Sequence, residues 1–259
     1  MNRSIAAAVL LASAFGACRT VPYTNRRQLV LVSAGEEQQL GLTSYQQALA
    51  QSKLSTDQAA TALVRRVGER LAKAADKPDY QWEFNLLDDP KTVNAWCLPG
   101  GKVAVYSGIL PVTQDEAGLA VVLGHEISHA LARHGGERMS QGLVAQFGGA
   151  ALGAALSSKP AETQALAAQA YGAGAQVGVL LPFSRKQESE ADHIGLILMA
   201  KAGYDPAAAV PFWERMSKLG GSGGGLEKYL STHPANAQRI KDIQAELPEA
   251  QKYYRAAAH

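Results

Sequence analysis

The chain has 259 residues, 25 Lys and Arg against 23 Asp and Glu, a formal net charge of +2, 47% hydrophobic residues and two cysteines. Such a length supports a substantial core, while near-neutral charge with only 19% charged residues excludes the electrostatic footprint of a nucleic-acid binder. Two cysteines are too few for a disulfide framework or a Cys-rich zinc fold.

Residues 1–17 hold an early positive charge at Arg3, an apolar run from Ile5 to Phe15, and the small pair Gly16-Ala17 directly before Cys18. This is the outline of a secretory leader, and its apolar run is too short to span a bilayer. Small residues followed by cysteine resemble a bacterial lipoprotein processing site. The expectation is therefore a signal peptide over 1–17, lipidation of Cys18, and a tether over 18–42 leading to a catalytic domain over 43–259. Acyl chains on Cys18 would hold the protein on a membrane. Arg19 stands where an inner-membrane retention signal has Asp, which points to the outer membrane, facing the periplasm.

Next in the chain, Ala60, Leu63, Val64, Val67 and Leu71 recur at three- and four-residue steps, which predicts an amphipathic helix over 56–75 with Thr56 as its N-cap. Residues 80–87 alternate Trp82, Phe84 and Leu86 and read as a strand. Two more strands follow at 94–98 and 102–106, joined by the turn Pro99-Gly100-Gly101. Everything after Thr113 is helical in pattern, so the fold class is mainly α with a small β-sheet (α+β). The stretch 142–181 is rich in Ala and Gly but interrupted by polar residues, and is read as a close-packed soluble hairpin rather than a membrane one. Cys97, next to Trp96 in a strand, reads as a small apolar core residue with no disulfide partner.

The chemistry lies in His125-Glu126-Ile127-Ser128-His129, inside a helix expected over 114–134 with Thr113 and Glu116 as a capping box. Residues four apart share a helix face, so both imidazoles can reach one Zn²⁺. Glu126 projects near the metal without ligating it, as a general base must. A random chain of this length would contain the pattern about once in a hundred times or less. The helix is also largely apolar, and buried imidazoles there need partners. His134 reads as a helix C-terminal histidine favoured by the dipole rather than as a ligand. For a third ligand, the run 184–192 offers Glu188 with Asp192 one turn on, able to hydrogen-bond a ligand histidine. Spacing alone leaves Glu190 open as the alternative.

In order and spacing, Asn94-Ala95, Leu98-Pro99-Gly100-Gly101-Lys102, the HEISH run, Leu181-Pro182-Phe183-Ser184-Arg185, Glu188-Ser189-Glu190-Ala191-Asp192 and Thr232-His233-Pro234 resemble the HtpX-like and CAAX-prenyl-protease-like zinc endopeptidases. Within these, the short LoiP-like bacterial periplasmic lipoproteins are the most similar branch. The resemblance implies a compact zincin-type domain with one zinc on His125, His129 and Glu188. It implies that His233, with Arg239, stabilises the oxyanion or, for His233, fills the open metal position at rest. It further implies that peptide adds as an antiparallel strand to a sheet edge near Asn94, Ala95, Gly100, Lys102 and Val103. The function expected on this basis is hydrolysis of unfolded or misassembled periplasmic and outer-membrane proteins, with a chaperone-like envelope assembly factor of latent peptidase activity as the rival reading.

Overall fold

The computed structural model describes residues 18–175, 181–219 and 226–257, so the expected leader over 1–17 lies outside the described residues, as do the side chains of 181–183. In chain order the elements are β1 (Cys18–Thr20), β2 (Arg27–Leu29), α1 (Ala34–Ala50), α2 (Gln58–Ala75), β3 (Glu83–Leu87), β4 (Ala95–Leu98), β5 (Lys102–Tyr106), α3 (Glu116–Leu131), α4 (His134–Ala155), α5 (Ala161–Ala175), α6 (Leu181–Lys201), α7 (Ala209–Leu219), α8 (Glu227–Thr232) and α9 (Ala237–Ala257). The class is mainly α with small sheets, as the sequence predicts. The chain divides into two compact units, one made of the residues up to Ser33 with Arg133–Gln187, the other of Ala34–Ala132 with Glu188–His259.

The larger unit is built on a three-stranded sheet of order β3-β5-β4, with β3 parallel and β4 antiparallel to β5. Gly100 and Gly101 make the β4–β5 turn at φ of 88° and 84°, and a Cβ on Gly101 would also come within 2.8 Å of the Trp82 ring. This order corrects one expectation. β5 is the middle strand, hydrogen-bonded on both sides, so Lys102 and Val103 present no free edge, and Gly100 lies in the turn before it. Val103 is fully buried, and Lys102 Nζ donates to the Gln81 carbonyl at 2.7 Å and pairs with Glu83 at 3.3 Å. The outer edge belongs to β4, which starts at Ala95 beside Asn94.

The boundary expected at 43 falls inside α1, which runs from Ala34 to Ala50. Its buried residues, Glu37, Gly41 and Tyr45, recur every fourth position. Gly41 lies so close to the sheet turn that a Cβ would sit 2.3 Å from the Pro99 carbonyl oxygen. Tyr45 packs with Leu87 and Ala104 and meets Trp96 edge-on at 5.8 Å.

α2 buries Val64, Val67, Gly68 and Leu71, and its cap is Asp57, which accepts from Ala60 N at 2.9 Å, rather than Thr56. The cap of α3 is Asp115, accepting from Gly118 N at 2.7 Å; Thr113 instead turns its hydroxyl onto the Leu110 carbonyl. Every residue of α3 from Gly118 to Leu131 is buried, because the helix packs against both α2 and β4. It stops at a left-handed residue, Arg133, φ 56°. His134 therefore opens α4 instead of closing α3, which removes the dipole role expected for it.

In the smaller unit β1 and β2 pair antiparallel. Arg26 holds the buried Glu137 of α4 at 2.6 and 2.8 Å, and Gln187 donates to the same carboxylate at 2.7 Å. Burial opposes the charge on Glu137, but these two partners keep its carboxyl below the usual range. α4 and α5 form the predicted hairpin, with Tyr171 donating to the Ala145 carbonyl at 2.9 Å. It is not close-packed on its outer faces: Phe147 and Leu166 are each 69% exposed.

Candidate metal centre

All the residues of the site belong to the larger unit. α3 carries His125 and His129 one turn apart on one face, both buried. α6 crosses α3 at two glycines: a Cβ on Gly195 would lie 3.0 Å from His125 N, and one on Gly124 would lie 3.1 Å from the Gly195 carbonyl oxygen. This backbone contact brings the preceding turns of α6 within reach of the histidines. Glu188 Oε2 stands 3.3 Å from His125 Nε2, and Glu188 Oε1 stands 3.3 Å from His129 Nε2. Asp192 Oδ1 accepts from His125 Nδ1 at 2.9 Å. Glu190, the alternative ligand on spacing, is buried away from this group.

α8 ends at His233, whose N–H donates to the Tyr229 carbonyl at 2.8 Å. Its Nδ1 comes 2.7 Å from Glu188 Oε2 and 3.1 Å from His125 Nε2, and its Nε2 is 3.6 Å from Glu126 Oε1. Asn236 then caps α9 by accepting from Arg239 N at 2.9 Å, which sets Arg239 in the first turn.

One donor atom from each of His125, His129, Glu188 and His233 lies within 4.8 Å of every other. The two histidine nitrogens of α3 are 3.1 Å apart. Tetrahedral bonds of zinc length separate neighbouring ligand atoms by roughly 3.3 Å, so these separations fit one small cation. Two hard and borderline donor types, imidazole and carboxylate, fit the same metal.

Electrostatics follow the same plan. Burial opposes charge on His125, but hydrogen bonds to Asp192 and Glu188 outweigh it and raise its pKa to about 9. Burial likewise opposes ionisation of Glu188, yet His125, His129 and His233 hold it far below the usual carboxylate range. Glu126 goes the other way: burial pushes its carboxyl up, with the nearby His233 and His125 acting against the shift.

Arg239 is held against Asp192. Its Nε and Nη2 donate to the two Asp192 oxygens at 2.7 and 2.8 Å, and Nη1 donates to the Pro234 carbonyl at 3.2 Å. Its guanidinium lies 3.5 Å over the Trp213 ring. So engaged, it braces Asp192, and its Nη2 also stands 3.7 Å from Glu188 Oε2. Two residues were not anticipated. Trp213 floors this brace and stands 6.2 Å from the His125 ring. Tyr229, fully buried, has its hydroxyl 3.4 Å from Glu126 Oε1 and its ring 4.6 Å from that of His233. Its only sequence signal is its place four residues before His233.

Comparison with known proteins bears on the same region. The chain is 39% identical over 234 residues to the mitochondrial metalloendopeptidase OMA1 of Schizosaccharomyces pombe, covering 89% of this chain and 67% of that protein. It is 32% identical over 275 residues to the Saccharomyces cerevisiae OMA1, covering 94% and 75%. A more distant similarity, 29% over 214 residues, joins it to the β-barrel assembly-enhancing protease of Escherichia coli, covering 82% and 44%. The mitochondrial relatives overturn the expected bacterial periplasmic, outer-membrane address, the lipoprotein reading of Cys18, and with them the envelope quality-control and assembly-factor functions. Cys18 itself is an exposed residue of β1. The sequence pattern of peptidase family M48 matches residues 58–247, a span that takes in the HEISH helix, Glu188, His233 and Arg239. The chain belongs to peptidase family M48 and is a metalloendopeptidase.

Proposed function

We propose that the centre holds one zinc on His125, His129 and Glu188 and cleaves internal peptide bonds of polypeptide substrates. The supporting observation is the set of 3.1 to 3.3 Å separations among those three side chains, which suit a tetrahedral ion. When bound, zinc supplies a Lewis acid that polarises a carbonyl and brings the pKa of water toward neutrality. Glu126 takes the proton of the attacking water and returns it to the leaving amine; its burial favours holding that proton between the two transfers. Asp192 keeps a proton on His125 Nδ1 and so leaves Nε2 as the ligating atom.

His233 is the gate in this reading. A catalytic zinc would keep one position open, and His233 Nδ1, 3.1 Å from His125 Nε2 and 2.7 Å from Glu188 Oε2, would fill it at rest. Withdrawal of His233 makes room for the substrate carbonyl, and the freed imidazole can then donate to the oxyanion. The substrate main chain adds along the β4 edge beside Asn94 and Ala95. A finer kinship with HtpX-like and CAAX-prenyl-protease-like members of the family rests on the motif order from Asn94 to Pro234.

The test is cleavage of an unfolded protein such as casein by the purified, zinc-loaded chain, set against Glu126→Gln. The variant should lose about 10²-fold or more of the rate and still bind one zinc per chain. Equal cleavage by the two proteins refutes the mechanism.

A further inference from the structure

The two carboxylate oxygens of Glu126 have different surroundings. Oε1 faces the Tyr229 hydroxyl at 3.4 Å and His233 Nε2 at 3.6 Å. Oε2 accepts no hydrogen bond from the described residues and is not closed off from solvent. One oxygen is therefore held by the protein and the other is left for water.

Tyr229 is built to do the holding. It is fully buried, and its ring lies 4.6 Å from that of His233 and 6.5 Å from that of Trp213, at 24° to the latter. A phenylalanine would make the same ring contacts without a buried hydroxyl to satisfy. Among the described residues that hydroxyl has one hydrogen-bond partner, Glu126 Oε1. The backbone fixes the ring as well: the Tyr229 carbonyl accepts from His233 N at 2.8 Å and from the Thr232 hydroxyl at 3.1 Å. At 3.4 Å the contact to Glu126 is longer than the about 2.6–3.2 Å of a working bond, as contacts in substrate-free sites often are before they tighten. Burial opposes charge on Glu126, and the Tyr229 hydroxyl is among the groups that act against that effect. We propose that Tyr229 is a positioning residue for Glu126: its hydroxyl holds Oε1 and thereby turns Oε2 toward the attacking water. The proposal rests on Glu126 being the proton acceptor. His233 turns away when substrate enters, whereas Tyr229, wholly buried, stays and keeps the carboxylate oriented through the cycle.

The experiment measures cleavage of labelled casein by the zinc-loaded full chain and its Tyr229→Phe variant, which deletes one oxygen and keeps the ring. The variant should lose about tenfold in kcat with KM and zinc content unchanged. In a Glu126→Gln background the same substitution should cost nothing further, because Tyr229 acts through that carboxylate. A second readout needs no turnover. In chemical unfolding of the metal-free protein, Tyr229→Phe should lower the folding equilibrium constant about tenfold, and should leave it unchanged in a Glu126→Ala background. Parent-level kcat in Tyr229→Phe, an equal further loss in the Glu126→Gln background, or equal stability costs in the two unfolding backgrounds overturns the proposal. Equal cleavage by the parent and Glu126→Gln refutes the general-base reading and this proposal with it; a defective Glu126→Gln beside a fully active Tyr229→Phe refutes this proposal alone.

Discussion

Asp192 sits between His125, a proposed metal ligand, and the Arg239 guanidinium, and each neighbour makes a separate, measurable demand on it. Its two oxygens accept from Arg239 at 2.7 and 2.8 Å, and Oδ1 also accepts from His125 Nδ1 at 2.9 Å. All three side chains are buried. In Asp192→Ala the guanidinium keeps its charge and its place over Trp213 but loses its nearer counter-ion, leaving only Glu188 Oε2 at 3.7 Å. Stranding one member of a buried pair costs about 3–5 kcal/mol; Arg239→Leu should cost less, because in the metal-free protein Asp192 keeps the protonated His125 as a partner at 2.9 Å. In the double variant no lone charge remains, and the residual loss is dominated by the stacking on Trp213, worth up to about 2 kcal/mol. The double variant should therefore fall short of the summed singles by about 1–3 kcal/mol. Chemical unfolding of the four metal-free proteins closes this cycle. Metal affinity behaves differently: both variants lacking Asp192 should bind zinc about 10–100-fold more weakly, because His125 loses the acceptor that fixes its tautomer, and restoring charge balance does not restore that acceptor. Additive stabilities, or recovery of zinc affinity in the double variant, would refute the brace.

The crossing of α3 and α6 makes a second prediction. Gly195→Ala places a methyl 3.0 Å from His125 N, against backbone that cannot swing aside, so unfolding measurements should show a loss of about 1–3 kcal/mol together with weaker zinc binding; an unchanged melting curve would contradict the tight crossing. Proton linkage makes a third. In the metal-free protein His125 keeps its second proton up to about pH 9, and a ligand must shed that proton to bind metal. Zinc binding at pH 7 should therefore release about one proton from this group, and apparent affinity should rise roughly tenfold per pH unit toward pH 9 and flatten above it. Calorimetry in two buffers of different ionisation enthalpy measures the release, and an affinity independent of pH over that range would count against the carboxylate-supported histidine.

The parts of the fold legible in the sequence were those where hydrophobic period and burial coincide. α2 presents Val64, Val67 and Leu71 to the core at helical spacing, and β3 alternates around Phe84 and Leu86. α1 was missed because its buried positions are Glu37, Gly41 and Tyr45, residues that carry almost no apolar signal. Gly41 is there because the Pro99 carbonyl leaves no room for a side chain, a constraint set by the sheet turn and invisible along the helix. Caps failed by one or two residues for a related reason. Thr56 and Thr113 have the right chemistry, but Asp57 and Asp115 stand where the extended backbone turns into the helix. The edge strand failed because a hairpin read from sequence does not say which of its strands meets a third; parallel pairing of β3 with β5 decided that.

The proposed metal ligands were legible to the extent that helix geometry alone could assemble them. His125, Glu126 and His129 lie within two turns of one helix, and Glu188 with Asp192 within two turns of another, so local spacing already determines which atoms share a face. Everything that joins the two helices escaped that logic. His233 reaches the centre only because α8 carries it to Glu188, and Arg239 braces Asp192 only because the start of α9 sets it beside α6. The least conspicuous contributors are Gly124 and Gly195, which supply no donor atom at all. A side chain at either would force the helix axes apart by a few tenths of an ångström or more. Donor separations near 3.3 Å leave little slack for one small cation, so the chemistry written in the histidines and glutamates depends on the two positions where the sequence carries no chemistry.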